Sequence, residues 1–199
     1  MTRLLNNAYR IASLAIFVVC MTSCSHTNKT NWQSLFDGSS TSGWTQSGEA
    51  IWSVNNGELA VLPSEPNGYL VTERTFANFQ LTLEFWPDAQ VNSGVFIRCP
   101  DNKKIAAGTC YEMNIWDNHP NQSYRTGAIV KYQKPLAQVN TIGKWNRYEI
   151  TAVDNVITVK INGVVTGQLK DDYLNQGYIA LQRFNGGLIK FRNIKIKEI

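Results

Sequence analysis

Apolar and polar residues alternate in short runs along most of the chain. In "FQLTLEFWPD", Leu81, Leu83 and Phe85 would face one side of a strand while the residues between them face the other. Similar runs are separated by turn signals such as Asn56-Gly57 and Asn162-Gly163. The pattern predicts about eleven or twelve strands and almost no long helix. We therefore expect an all-β fold, a single antiparallel β-sandwich of the jelly-roll type.

The stretch "CYEMNIWDNHP" carries an unusual polar side. Alternation places Glu112, Asn114 and Trp116 opposite the apolar Tyr111, Met113 and Ile115. The same mixture of aromatic and planar polar residues recurs in other strands: Glu84 with Trp86, Phe96 with Arg98, and Tyr178 with Gln182 and Phe184. Aromatic rings fit the apolar faces of pyranose rings, and planar polar groups fit their hydroxyls. The pattern favours a concave sugar-binding face, while a solvated surface over a second core remains the alternative for each residue.

The first residues are typical of an export signal. Residues 1–10 carry two arginines and no acid, and a short apolar run from Ile11 to Val19 follows. The run ends in "MTSCS", which resembles the lipobox of bacterial lipoproteins. This pattern predicts a signal peptide over residues 1–23, lipid on Cys24, and a polar tether over residues 24–31. Plain secretion with cleavage nearby is the alternative.

One domain is expected to follow, over residues 32–199. The full chain has a formal net charge of +4, but Arg3 and Arg10 fall within the predicted signal, and no basic stripe appears. Nucleic acid is therefore not a predicted partner, and the membrane is expected to be reached through the lipid anchor only. We expect an exported lipoprotein on the periplasmic side or the surface of the outer membrane, with oligomeric state left open.

Two of the four cysteines remain within this domain. Cys20 would leave with the signal and Cys24 would take lipid, which leaves Cys99 and Cys110 at a hairpin-like spacing. In an exported protein such a pair predicts a disulfide, with two buried thiols as the alternative.

Several segments, in order, resemble one family. They are "SLFDGSSTSGW", "NSGVFIR", "YEMNIWDNHP", "RTGAIV", "KWNRYEI" and "IALQRFNGGLIKFRNIKI". Together they resemble the 3-keto-disaccharide hydrolase family, also described as 3-keto-glucoside lyases and 3-keto-2-hydroxyglucal hydratases, from about Trp32 to Ile199. The resemblance implies a concanavalin A-like jelly roll of two antiparallel sheets. It also implies cleavage of 3-keto-glycosides by elimination and hydration.

That reaction needs a base, an acid and a group that stabilises an enolate. Glu112 and Asp117 are the candidate base and acid, His119 is a candidate proton carrier, and Arg98 and Lys131 are candidate charge stabilisers. An ion pair between Arg98 and Glu112 is the structural alternative. The candidate substrate-binding residues are Asn92, Asn114, Trp116, Lys131, Gln182 and Phe184.

Four residues at three places in the chain depart from the family pattern. The family often has glutamine where Asn114 stands, tyrosine where Val130 stands, and His-Gly where Phe184-Asn185 stand. A non-catalytic carbohydrate-binding module of the cell envelope is therefore the alternative function, and an adhesion protein is a third. The chain lacks E-x-D-x-x-E, P-loop and dinucleotide-binding motifs. A zinc site is disfavoured. A divalent metal held by oxygen ligands stays open, and no other cofactor is expected.

Overall fold

A computed structural model describes residues 32–199 of the chain. It contains thirteen strands and one 3₁₀ turn, Gln122–Tyr124. The strands are β1 (Gln33–Ser34), β2 (Trp44–Gly48), β3 (Ser53–Asn55), β4 (Glu58–Val61), β5 (Gly68–Thr72), β6 (Phe79–Pro87), β7 (Asn92–Cys99), β8 (Tyr111–Ile115), β9 (Asn146–Val153), β10 (Val156–Ile161), β11 (Val164–Lys170), β12 (Tyr178–Phe184) and β13 (Ile189–Glu198). The predicted number of strands is slightly too low because β1 and β3 have only 2 and 3 residues.

All the strands pair antiparallel, in two sheets. The eight-stranded sheet has the order β11-β10-β9-β6-β13-β4-β3, with β1 added beside β13, and the five-stranded sheet has the order β2-β5-β12-β7-β8. Strands that are neighbours in a sheet are often distant in the chain, as in a jelly roll. The predicted fold class, an all-β concanavalin A-like sandwich, is confirmed.

The main core lies between the two sheets. Strand β6 alternates between buried and half-buried positions along its whole length, with Leu81, Leu83 and Phe85 facing inward. Phe85 stacks on Tyr148 of β9, with ring centroids 4.9 Å apart. Burying each large apolar side chain of this kind contributes roughly 1.5–3 kcal/mol to folding. Because a slip of one residue would expose these side chains, their burial fixes the strand register and determines which residues face outward.

A second, smaller apolar cluster lies on the outer face of the five-stranded sheet. It contains Phe96 and Ala180 from neighbouring strands and Ile105 from the loop after β7. The predicted disulfide between Cys99 and Cys110 is confirmed, with the two Cα atoms 4.6 Å apart. It closes the loop of residues 100–109 over the sheet. One edge of this outer face is therefore covered.

The predictions for the start of the chain lie outside the described residues. They are the signal peptide over residues 1–23, the lipid on Cys24 and the tether over residues 24–31. Within residues 32–199, no helix has the length and apolar character needed to cross a membrane.

Candidate functional site

A cavity of about 270 Å³ opens on the outer face of the five-stranded sheet, beside the disulfide loop. Its size approaches the lower end of the range for small-molecule sites. The lining residues are Tyr69, Asn92, Phe96, Ala106, Ala107, Glu112, Asn114, Trp116, His119, Tyr124, Val130, Gln182 and Phe184. Rings and planar polar groups are mixed throughout this lining.

Strand pairing explains why these side chains meet. Gln182 of β12 lies opposite Gly94 of β7, and Gly94 lies opposite Asn114 of β8. In the neighbouring row Phe96 lies opposite Glu112. Because residues facing each other across antiparallel strands share one face, these rows form a continuous floor. The predicted alternation of "CYEMNIW" is confirmed, since Tyr111, Met113 and Ile115 lie in the main core.

Glu112 is a buried carboxyl group at the centre of this floor. It is only 7% exposed, and no hydrogen bond from residues 32–199 contributes to its titration. Burial raises the pKa of Glu112 from 4.5 to about 7, and the positive charge of Lys131 offsets part of that rise. At neutral pH the group is therefore divided between its neutral and ionised forms. It can both accept and return a proton.

Glycine at position 94 makes room for this carboxyl. A Cβ atom on Gly94 would lie 3.0 Å from Glu112 Oε1 and 3.2 Å from Glu112 Cγ. The glutamate thus fills the space that a side chain at position 94 would take. Asn114, on the other side of Gly94, is fixed by the backbone: its Oδ1 accepts the N–H of Ile115 at 3.0 Å and its Nδ2 donates to the carbonyl of Tyr124.

Gln182 and Tyr69 form the opposite side of the floor. Gln182 Nε2 donates to the hydroxyl of Tyr69 at 3.3 Å. Burial raises the pKa of Tyr69, the hydrogen bond with Gln182 opposes that rise, and the charge of Glu112 adds to it. The Tyr69 ring meets Phe96 edge to face, with centroids 5.6 Å apart.

An aromatic wall rises from the loop after β8. His119 lies between Trp116 and Tyr124, with ring centroids 4.3 Å and 5.6 Å away, and meets both edge to face. His119 Nδ1 accepts the N–H of Asn121 at 3.0 Å. In the neutral ring the proton is then on Nε2, which makes that atom a donor.

Phe184 and Asn92 lie at the mouth of the cavity. They are paired across β12 and β7, and Phe184 is 37% exposed. Ala106 and Ala107 of the disulfide loop line the cavity as well. Lys131 is exposed, with Nζ 3.0 Å from the position of a Cβ on Gly108. It therefore contributes charge from the rim.

Arg98 lies elsewhere, which corrects its prediction as a charge stabiliser. A β-bulge shifts the pairing of β7 with β12 just before Cys99, and Arg98 has a φ of +54°. The fully buried guanidinium donates to the carbonyls of Ala77, Asp154 and Leu174. It ties together three connections at one end of the sandwich. No ion pair with Glu112 forms among the described residues.

Asp117 is not in the cavity either, which corrects its pairing with Glu112 as an acid. Its carboxylate accepts the N–H and the hydroxyl of Thr141 at 2.6 Å and 2.8 Å. Arg125 Nη2 lies 4.0 Å away. Asp117 thus anchors the segment before β9 and lines a separate cavity with Arg125. Because both carboxylate oxygens of Asp117 accept hydrogen bonds from Thr141, this structural role explains the residue.

Seven of the ten predicted catalytic and substrate-binding residues line one cavity. They are Asn92, Glu112, Asn114, Trp116, His119, Gln182 and Phe184. Their catalytic and binding roles stay predictions. The candidate residues omitted Tyr69, Phe96, Tyr124 and Val130, as well as the two alanines of the disulfide loop. Alternation in "GYLVT" separates Tyr69 from Leu70, but no local signal places β5 next to β12.

Metal binding has no obvious centre in the described part of the chain. Among residues 32–199, no group of three or more His, Cys, Asp and Glu side chains converges.

Comparison with known proteins relates this chain to carbohydrate-active proteins. The model of the 3-keto-alpha-glucoside-1,2-lyase-like domain matches residues 31–197. No curated protein matches the chain in sequence. Among solved structures, a candidate glycosyl hydrolase from Parabacteroides distasonis is 26% identical, with a TM-score of 0.74, and the match covers 85% of this chain and 100% of that one.

Two other solved structures share the fold at lower identity. The β-glucanase of Bacillus licheniformis is 13% identical with a TM-score of 0.60, and the match covers 87% of this chain and 99% of that one. The carbohydrate-binding module CBM66 of Bacillus subtilis is 12% identical with a TM-score of 0.62, and the match covers 78% of this chain and 96% of that one.

Proposed function

This chain belongs to the 3-keto-alpha-glucoside-1,2-lyase-like domain family, and we propose that it cleaves 3-keto-glycosides by elimination followed by hydration. A carbohydrate-active protein agrees with the family and with the aromatic and polar lining of the cavity. The observation that carries the more specific reaction is Glu112, a buried carboxyl with a pKa near 7 at the floor of that cavity.

In the first step, the ketone at C3 of the sugar makes the hydrogen on C2 acidic. Ionised Glu112 removes this proton, the C2 electron pair forms a double bond to C1, and the glycosidic oxygen leaves from C1. That oxygen takes a proton, which the Nε2–H of His119 is placed to supply at the aromatic wall. The products are an alcohol and a 2-hydroxy enone.

In the second step, the hydroxyl of water adds to C1 of the enone, the proton that this water loses restores the Nε2–H of His119, and a proton returns to C2. Neutral Glu112 supplies this proton, after its carboxyl hydrogen has exchanged with water. The sum of the two steps is hydrolysis, with the ketone at C3 kept. Negative charge develops on the C3 oxygen in both steps, and hydrogen-bond donors on the floor and the charge of Lys131 at the rim favour it.

The full chain should be assayed with a 3-keto-disaccharide and with its unoxidised parent. We expect monosaccharide release from the keto sugar alone, ultraviolet absorption from the enone, and exchange of the C2 hydrogen in deuterated water. Equal cleavage of the unoxidised parent would refute the elimination route. Binding of sugars without any turnover would instead make the protein a carbohydrate-binding module.

We also propose that the protein is an exported lipoprotein. The support is the basic and apolar start of the sequence and the "MTSCS" segment. The disulfide is of the kind that persists in oxidising compartments. Radiolabelled palmitate should label the wild-type chain in a bacterial host but not Cys24→Ser, and equal labelling of both would contradict lipidation at Cys24.

A further inference from the structure

One hydrogen-bond acceptor on the floor of the cavity has no partner. Gln182 Oε1 is buried, and no donor within residues 32–199 reaches it. The other end of the same amide is engaged, because Nε2 donates to Tyr69 at 3.3 Å. Leaving a buried acceptor unsatisfied costs about 1–3 kcal/mol. A proton that is present in only one state of the site would remove this cost.

The carboxyl of Glu112 and the side chain of Gln182 both approach Gly94. Gln182 faces Gly94 across the strands, and Glu112 fills the space over Gly94. A Cβ atom on Gly94 would lie about 4.5–5.5 Å from the Cβ of Gln182, and Glu112 Oε1 lies 3.0 Å from that same position. Asn114, the other neighbour of Gly94, is held by two backbone groups and is not free to serve. The neutral carboxyl is therefore the donor placed to satisfy Gln182.

We propose that Gln182 is a positioning residue whose side-chain amide flips, exchanging its oxygen and nitrogen, when Glu112 gains or loses its proton. We call this coupled change of Glu112, Gln182 and Tyr69 the relay. When Glu112 is neutral, its O–H donates to Oε1, and Nε2 donates to Tyr69. When Glu112 is ionised, Nε2 donates to the carboxylate, and Oε1 accepts the O–H of Tyr69. Both ends of the amide are satisfied in each state. Of the first state, the structure contains the hydrogen bond from Nε2 to Tyr69.

The relay changes what Tyr69 offers to a ligand. In the first state its hydroxyl accepts from Gln182, so its own proton is free to donate into the cavity. In the second state that proton is held by Gln182. This consequence rests on the proposed function: once Glu112 has taken the C2 proton, the new enolate oxygen needs a donor, and Tyr69 becomes able to donate at that moment.

Other ionisable groups also face Glu112. They are Tyr69 from β5, Lys131 from the segment after β8, His119 and Tyr124 from the aromatic wall, and Tyr148 from β9, whose pKa the charge of Glu112 helps to raise. Lys131 acts on Glu112 by charge from the exposed rim. Gln182 is the neighbour in the described chain whose buried oxygen lacks a donor and whose nitrogen already contacts Tyr69. The relay therefore runs through this amide.

The test uses the ligand-free full chain with carbon-13 in the Glu carboxyl and the Tyr ring. In the wild type, NMR titration should show Tyr69 responding at the same pH midpoint as Glu112. Methionine is similar in length to glutamine but has no strong hydrogen-bonding group. In Gln182→Met, the chemical-shift change of the Tyr69 ring at the Glu112 midpoint should therefore fall at least twofold, and the pH midpoint of Glu112 should move. The exposed Gln168→Met is the matched control and should leave both unchanged. If the Tyr69 ring of Gln182→Met showed the same chemical-shift change as in the wild type, the relay would be overturned.

A second measurement covers the case in which Gln182→Met does not fold. In the wild type, the side-chain amide protons of Gln182 should shift at the Glu112 midpoint, and this shift should disappear in Glu112→Gln. If the chemical shifts of the Gln182 amide protons did not change across the Glu112 midpoint, the proposal would also be overturned. Neither measurement uses a substrate, so absence of turnover would refute the proposed function and leave the relay standing.

Discussion

The outer face of each sheet carries a glutamate among aromatic rings. On the eight-stranded sheet, Glu84 accepts from Arg192 Nε at 2.6 Å, and the Arg192 guanidinium lies 3.9 Å from the centroid of the Trp145 ring. On the five-stranded sheet, Glu112 lies among rings with no cation within ion-pair distance in residues 32–199. The composition is similar, but only one carboxylate is neutralised by a direct partner.

Enclosure separates the two faces further. The side chain of Glu84 is 29% exposed, whereas Glu112 is 7% exposed beneath the aromatic wall and the disulfide loop. Glu84 is therefore open to water and paired with Arg192. Burial without a direct partner instead places Glu112 near its titration point at neutral pH. Cover and the lack of a direct partner thus give two similar outer faces different electrostatics.

The largest expected difference between the two faces is in turnover. Glu112→Gln keeps the shape of the side chain but cannot accept a proton, so turnover of a 3-keto-disaccharide should fall at least about 100-fold. Glu84→Gln is the matched control on the other sheet and should stay within about twofold of the wild type, because exposed pairs contribute little. Steady-state rates of sugar release measure both. Similar losses in the two variants would remove the functional distinction between the faces.

The second difference is in how stability depends on pH. The folded-state pKa of Glu112 is raised from 4.5 to about 7, so the folded protein holds this proton more tightly than the unfolded chain does. This contribution to stability is therefore present at low pH, declines as pH rises from about 4.5 to 7, and amounts to about 3 kcal/mol.

Urea unfolding at pH 5 and pH 8 measures this contribution. Glu112→Gln should lose the decline and become more stable than the wild type at pH 8, while Glu84→Gln should keep the wild-type decline. If Glu112→Gln retained the full decline between these pH values, the buried carboxyl would not be its source.

Releasing the disulfide loop should make Glu112 more exposed to water and therefore more like Glu84. Replacing Cys99 and Cys110 together by serine frees the loop of residues 100–109, and we expect a loss of about 2–3 kcal/mol in unfolding free energy. Water should then reach Glu112 more easily and bring its pKa down toward the ordinary range. Carboxyl NMR titration checks the second effect. An unchanged Glu112 midpoint in the folded double variant would show that the loop does not enclose the group.

The smallest expected effect concerns the rim. Lys131→Met removes the positive charge that holds the pKa of Glu112 down, so the pKa should rise, by less than about one unit because Lys131 is exposed. Lys134→Met, a nearby exposed lysine on another cavity, is the control and should leave the midpoint in place. The difference should shrink at high salt, and a salt-independent shift would indicate a rearrangement rather than a charge effect.

Alternation along single strands predicted much of the sandwich and the floor around Glu112. It could not assign strands to sheets, which is why Glu84 and Trp86 were grouped with the site although they lie on the other sheet. Strict alternation also placed Arg98 beside Phe96, and the bulge before Cys99 breaks that alternation. Sheet order and bulges depend on tertiary packing, which local patterns do not record.

The departures from the family pattern gain a location from the structure. Asn114, Val130 and Phe184 all line the cavity. The sequence shows that these residues differ from the family pattern. The fold shows that the three residues, although separated along the chain, line the same cavity. We expect these positions to influence which glycoside fits, because each contributes surface to the same 270 Å³ space.

Gly94 has a consequence for how such proteins diverge. The acid occupies the room that this residue leaves, and the Cβ of alanine would stand 3.0 Å from its oxygen. Glycine and alanine codons differ by one base, so a single mutation adds a methyl group against which the end of the Glu112 side chain must shift. The rings and amides around it would remain. Under the proposed function, one mutation in a gene duplicate would therefore weaken cleavage and leave the sugar-binding lining in place.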